Sequence, residues 1–270
     1  MFVFDSHAHI IPKLNGKSGY SSIEEHLLIS QRAMHDHLSQ PARRIKDHKI
    51  VKKSIWNENI QEYEGRLDVN FRVGKYGRFE WTQDSEDCYI QYLPTYAENM
   101  EYPAQELKIM MDYAGIDKAV LQCGSVYGNL NDYYRDVICK NEFLSSILYP
   151  LLRIKENDAF KDQQLKELTD YINNFNLKGI WFIANEKSFT NQFKIFWDIV
   201  KQLRIPIFFP FFPDEKWMDR ALILERFIEN YSEVPCILPQ AFPLSTKITD
   251  DNLIVNKKLK NIILSANIYI

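Results

Sequence analysis

Two imidazoles stand two residues apart near the start of this chain, in the run Met1-Phe2-Val3-Phe4-Asp5-Ser6-His7-Ala8-His9. On an extended strand, residues i and i+2 project from one face, so His7 and His9 can share one divalent cation. A cation held this way polarises a carbonyl or lowers the pKa of a bound water toward ~7. Asp5 lies one step earlier on the same face, where a carboxylate orients a ligand histidine or closes a barrel bottom by hydrogen bonding. A chance pairing is the competing reading of so short a motif. Its place directly after an apolar run favours metal.

Further candidates lie far along the chain. Tyr127, between Gly124 and Gly128 in a loop after an apolar run, is the leading candidate for a substrate contact. Trp81, Tyr89, Tyr92, Trp181 and Phe182 are further aromatic residues suited to an apolar pocket, with core packing as the ordinary alternative for each. Arg153, just past a predicted strand, suits a carboxylate clamp or a surface ion pair. His26, His35, His37 and His48 fall in a polar stretch and are expected at the surface, unless that stretch folds over the mouth of the site. No histidine follows His48.

The elements that must position these residues form a repeating pattern. Past residue 100, short β-rich apolar runs alternate with amphipathic segments, which is the mark of βα units. Strands are expected at Phe2–His9, Lys118–Gln122, Ser146–Leu152, Lys178–Ala184, Ile205–Phe211, Cys236–Pro239 and Ile262–Ile268. Between them, helices are expected from Pro103 to Gly115, and over about 131–139, 162–175, 190–203 and 217–231. The reading is α/β, a (β/α)8 barrel of TIM type, C-terminally incomplete at about seven strands. Residues 1–270 form one barrel domain, with 13–98 as a long insertion or lid after the first strand; a separately folded subdomain is the alternative.

Taken together, Phe4-Asp5-Ser6-His7-Ala8-His9, the block Met111-Asp112-Tyr113-Ala114-Gly115-Ile116-Asp117-Lys118-Ala119-Val120-Leu121, Leu177-Lys178-Gly179-Ile180 and Ile205-Pro206-Ile207 resemble the amidohydrolase-related family, the group that includes aminocarboxymuconate semialdehyde decarboxylase. The resemblance implies a metal-dependent hydrolase or decarboxylase acting on a small carboxylated or ring-bearing substrate. It implies one divalent metal, zinc above others, held by His7 and His9, a histidine ending the fifth strand and an aspartate ending the eighth. This chain departs from that pattern. The fifth-strand block reads Ile205-Pro206-Ile207-Phe208-Phe209-Pro210, and Gln240 stands at the sixth-strand histidine position, where it can bond substrate but not shuttle a proton. The eighth-strand aspartate would lie beyond Ile270. Asp214 or Glu215 is a candidate carboxylate replacement for the lost histidine, with the ordinary role of acids at a helix start as the alternative.

Those departures keep a second class open: a barrel that lost catalysis and works as a binding or scaffold subunit. A nuclease or phosphoesterase with a similar opening strand fits less well, because its two or three metals need more histidines than the chain has. Composition narrows the partners. With 33 basic and 36 acidic residues interspersed and a net charge of -3, no footprint for nucleic acid or an anionic membrane appears. Cys88, Cys123, Cys139 and Cys236 are widely spaced with no CxxC, which fits a reducing cytoplasm. No uncharged apolar run approaches the ~18 residues of a membrane span. Expected partners are a small-molecule substrate and, through an unclosed sheet, a second copy in a homodimer.

Overall fold

The computed structural model describes residues 1–36, 40–60, 62–175, 177–210, 217–239, 247–249, 252–254, 264–265 and 267–269. In chain order the elements are β1 (Phe4–Ala8), α1 (Ile23–His35), β2 (Arg43–Arg44), β3 (Arg72–Val73), β4 (Arg78–Gln83), β5 (Glu86–Gln91), α2 (Ala104–Ala114), β6 (Lys118–Leu121), α3 (Asn131–Tyr134), α4 (Glu142–Ile147), β7 (Leu148–Arg153), α5 (Asp162–Phe175), β8 (Gly179–Trp181), α6 (Lys194–Leu203), β9 (Ile207–Phe208), α7 (Trp217–Asn230), β10 (Cys236–Ile237), β11 (Lys247–Thr249), β12 (Asn252–Ile254) and β13 (Ile268–Tyr269). The chain forms two compact units. One holds Met1–Ala8, Lys118–Gln122 and Tyr134–Ile270; the other holds His9–Asp117 and Cys123–Tyr133.

In the first unit, seven strands pair in the order β1-β6-β7-β8-β9-β10-β13, all parallel. The order never reverses, so the sheet has no switch point of the doubly wound kind. Helices α5, α6 and α7 each return the chain to the next strand, the winding of a TIM-type barrel. The fold is therefore an incomplete (β/α) barrel of seven strands. Separately, β11 and β12 form an antiparallel pair.

The helices of this unit bury the faces that their spacing assigns. On α6 and the turn before it, Phe193, Phe196, Trp197 and Val200 are buried, and Arg204 caps the helix in the left-handed region at φ 52°. Trp197 is the centre of the core. Its ring lies 5.7 Å from Phe182, 5.5 Å from Phe227 and 4.8 Å from Tyr231. Its Nε1–H donates to the Ser188 carbonyl at 2.7 Å.

Strand positions follow the sequence reading with shortened ends, except that the last, expected over Ile262–Ile268, is observed as β13 at Ile268–Tyr269 after a turn at 264–265, and one start moves for a local reason. Asn141 accepts a hydrogen bond from the Leu144 N–H at 3.0 Å, which caps α4, so β7 begins at Leu148 rather than at Ser146. The expected helix over 131–139 is a single α turn, α3, followed by a π-helical turn at Arg135–Cys139.

The second unit contains what the polar stretch concealed. Ser22 caps α1 by accepting from the Glu25 N–H at 3.1 Å, and the four remaining strands pair antiparallel in the order β2-β5-β4-β3. Phe79 and Trp81 on β4 and Cys88 to Ile90 on β5 are buried. Helix α2 runs from the Pro103 cap to Gly115, which takes φ +69° as the C-cap glycine should. Among the described residues, no helix is long and apolar enough to cross a membrane.

Candidate functional site

The end of β1 is built within the first unit. Register along β1 and β6 pairs Phe4 with Lys118, Asp5 with Ala119 and Ala8 with Leu121, so β1 carries one extra residue in a bulge around Ser6 and His7. Bulges re-aim side chains. The Asp5 carboxylate accepts from the His7 backbone N–H at 2.9 Å, which holds the carboxylate to its own strand. Gln122, fully buried after β6, donates its side-chain amide to the Ser6 carbonyl at 2.9 Å and its backbone N–H to the Ala8 carbonyl at 2.9 Å. Tyr134, also fully buried, donates its hydroxyl to the Gln122 carbonyl at 3.1 Å. His7 is half-buried, and desolvation lowers its pKa against the opposing attraction of Asp5, so a neutral imidazole prevails at neutral pH.

Strand β1 ends at Ala8, so strict alternation extends neither through the bulge nor on to His9. His9 belongs to the second unit, where its ring meets the edge of Tyr127 at 5.8 Å. The Tyr92 hydroxyl donates to the Tyr127 hydroxyl at 3.0 Å. Tyr127 is buried and Tyr92 partly buried, and desolvation raises both pKa values, which keeps the pair protonated.

The Tyr127 loop is pinned by backbone. Gly19 N–H and Ser18 Oγ both donate to the Tyr127 carbonyl at 2.8 Å, and Asn129 N–H donates to the Gly19 carbonyl at 2.9 Å. Gly128 takes φ +75°, and a Cβ added there would lie 2.5 Å from the Gly19 carbonyl carbon. At Gly124 a Cβ would meet the Tyr127 ring at 2.8 Å. The glycines flanking Tyr127 thus admit the ring and the close approach of two loops.

His26 corrects the expectation that histidines of the polar stretch lie on the surface. It is fully buried on α1, its Nδ1 lies 2.7 Å from the Gly16 carbonyl, and Tyr20 stacks on its ring at 5.8 Å. Burial lowers its pKa, opposed by the carbonyls of Gly16 and Val126. His35 stacks near Trp56 at 6.5 Å, and His48 Nδ1 lies 3.1 Å from the Tyr89 hydroxyl. His37 lies outside the described residues.

A prediction follows for His26. With a folded pKa below the ordinary 6.5, the unfolded chain takes up the proton first as pH falls. Its contribution to stability is complete above pH 6.5 and is lost below it, by up to about 1.4 kcal/mol per pH unit. Urea midpoints measured between pH 7.5 and 5 should fall more steeply for the native chain than for His26→Gln; equal slopes would refute the assignment.

The other candidates fall in separate places. Arg153 ends β7 as the register partner of Trp181, the last residue of β8, so this pair sits at the C-terminal ends of adjacent parallel strands. Trp81 is 2% exposed in β4 of the second unit, which is the core-packing reading. Asp214, Glu215 and Gln240 lie outside the described residues. Among the described residues, no group of three His, Cys, Asp or Glu side chains is placed to hold a metal ion. Gln122, Tyr134 and Tyr20 drew no attention in the sequence, because nothing in their neighbourhoods marks which backbone or ring they will meet.

No family model matches the chain, and no curated protein sequence matches it. Among solved structures it is similar to a probable 2-pyrone-4,6-dicarboxylic acid hydrolase from Acinetobacter baumannii, at 16% identity and a TM-score of 0.42, over 53% of this chain and 49% of that one. It is also similar to a 2,6-dihydroxybenzoate decarboxylase at 15% identity and a TM-score of 0.40, over 52% of this chain and 56% of that one. A dihydroxybenzoic acid decarboxylase from Polaromonas sp. JS666, determined with bound manganese and 2-nitroresorcinol, matches at 14% identity and a TM-score of 0.44, over 63% of this chain and 67% of that one. The chain spans about half the length of the first two of these structures.

Proposed function

We propose that this chain is a divalent-metal-dependent hydrolase or decarboxylase acting on a small carboxylated or ring-bearing molecule. The observation that supports it is the end of β1, where a parallel barrel-type sheet presents a half-buried, neutral His7 beside Asp5. In barrels of this kind, chemistry gathers at the C-terminal ends of the strands. His7 and His9 are the proposed metal ligands, and neutral imidazole donors suit zinc among the divalent ions.

The donor set is partial. Two imidazoles are one short of the three protein ligands common in a catalytic zinc site, and the described residues supply no cluster of three. Arg153, at the end of β7, clamps a substrate carboxylate; the Tyr127 hydroxyl, held protonated by burial against the opposing effect of the hydrogen bond from Tyr92, offers a hydrogen bond; Gln240 bonds a polar group of substrate. Trp81 contributes packing. The segment 13–98 serves as an insertion within the barrel domain.

A second reading, a barrel that binds without turnover, alone or paired with a second copy, is favoured by Pro210 or a phenylalanine at the fifth-strand histidine position and by Gln240 at the sixth, where no imidazole is offered. Turnover separates the two. Aromatic carboxylic acids and cyclic esters are incubated with the chain and zinc or manganese, and release of carbon dioxide or acid is followed. The proposed activity requires the cation and is lost in His7→Ala. Binding without release in every case would support the second reading.

A further inference from the structure

The second unit contains a pocket of about 370 Å³ lined by Gln31, Arg66, Asp68, Val69, Asn70 and Phe71, among others, and the reading above does not use it. Its floor is unusually well fixed. Gln31 on α1 is fully buried and donates its amide to the carbonyls of Ile55 and Leu67, both at 2.9 Å. With both N–H groups engaged, its Oε1 accepts from Arg66 Nε at 2.9 Å. The guanidinium is thus held through Nε by a side chain that is itself immobile, and the Nη groups take no hydrogen bond or ion pair among the described residues.

Asp68 lines the same pocket, two residues on, and is exposed. It likewise makes no ion pair or hydrogen bond among the described residues. An opposite pair that shares a pocket without closing on itself leaves two charges for something else to meet. Val69 and Phe71 are buried, at 6% exposure each, the Phe71 ring stacks on Phe79 at 5.5 Å, and Asn70 turns the chain between them at φ 48°.

We propose that this pocket binds a free α-amino acid. Its carboxylate lies on the Nη edge of Arg66, which suits bidentate recognition of a carboxylate. Its ammonium faces Asp68. A simple anion would leave Asp68 opposed to it, and a simple cation would leave Arg66 so; a zwitterion satisfies both.

Calorimetric titration of the full chain with L-leucine and L-phenylalanine tests this. Saturable binding is expected, weakened about tenfold or more by Asp68→Asn and by Arg66→Lys, and weakened similarly when N-acetyl-L-leucine replaces L-leucine. Asp68→Asn changes an exposed group, so the fold survives it, and His7→Ala should leave this binding unchanged. Absence of saturable binding to either amino acid overturns the proposal. So does binding that is indifferent to N-acetylation and to Asp68→Asn.

Discussion

Trp197→Ala is expected to cost about 3–5 kcal/mol, the range for deleting a large aromatic side chain from a packed core. The residue is fully buried and its ring touches those of Phe182, Phe189, Phe196, Phe227 and Tyr231. These rings come from the β8 end, the turn after it, α6 and the α7 end, so the cavity loosens three βα units at once. The variant also strips the Ser188 carbonyl of its indole donor, and a buried acceptor left without a partner adds to the loss. Against a total stability of roughly 5–15 kcal/mol for an ordinary domain, this is enough to unfold much of the population. Trp197→Phe retains most of the volume and loses the hydrogen bond, so it should fall well short of the alanine variant. Urea unfolding followed by circular dichroism checks both. A loss under about 1 kcal/mol for the alanine variant would contradict the placement of this ring at the centre of the core.

The second large effect is expected at Gly128. Alanine there must hold φ +75°, at about 1–2 kcal/mol for an L-residue, and its methyl would overlap backbone atoms of Gly19. Backbone cannot swing aside as a flexible side chain does, so the two loops must part, for a combined cost of about 3 kcal/mol. Parting them releases the Tyr127 carbonyl from Gly19 and Ser18 and frees the ring that meets His9 and Tyr92. The readout is therefore double. The unfolding midpoint falls, and tyrosine near-ultraviolet circular dichroism changes even where the chain stays folded. An unchanged midpoint would show that the loops do not approach as described.

The helices were legible where their apolar residues recur at helical spacing or where end signals bracket them. Phe193, Phe196, Trp197 and Val200 mark α6, and Pro103 with Gly115 bracket α2. The antiparallel sheet of the second unit was not legible. Two of its strands are two residues long, and the β4–β5 turn is made by Asp84 and Ser85, both at positive φ, where the usual signal is Asn-Gly or Asp-Gly. His26 reads as a surface residue because Glu24 and Glu25 precede it. Its burial depends on Gly16 and on the carbonyl of Val126, a hundred residues away, which local pattern does not encode. The same holds for β1: alternation predicts a shared face for His7 and His9, whereas the bulge and the end of the strand at Ala8 arise from pairing with β6. Arg66 carries no motif at all, and it gains meaning only from the buried amide of Gln31.

Metal content decides the proposed function most directly. The purified chain is dialysed against excess zinc and then against metal-free buffer, and bound metal is counted by mass spectrometry beside His7→Ala and His9→Ala. One equivalent retained by the native chain and lost in both variants is the expected result. No retained metal in the native chain, or equal retention in all three, would contradict it.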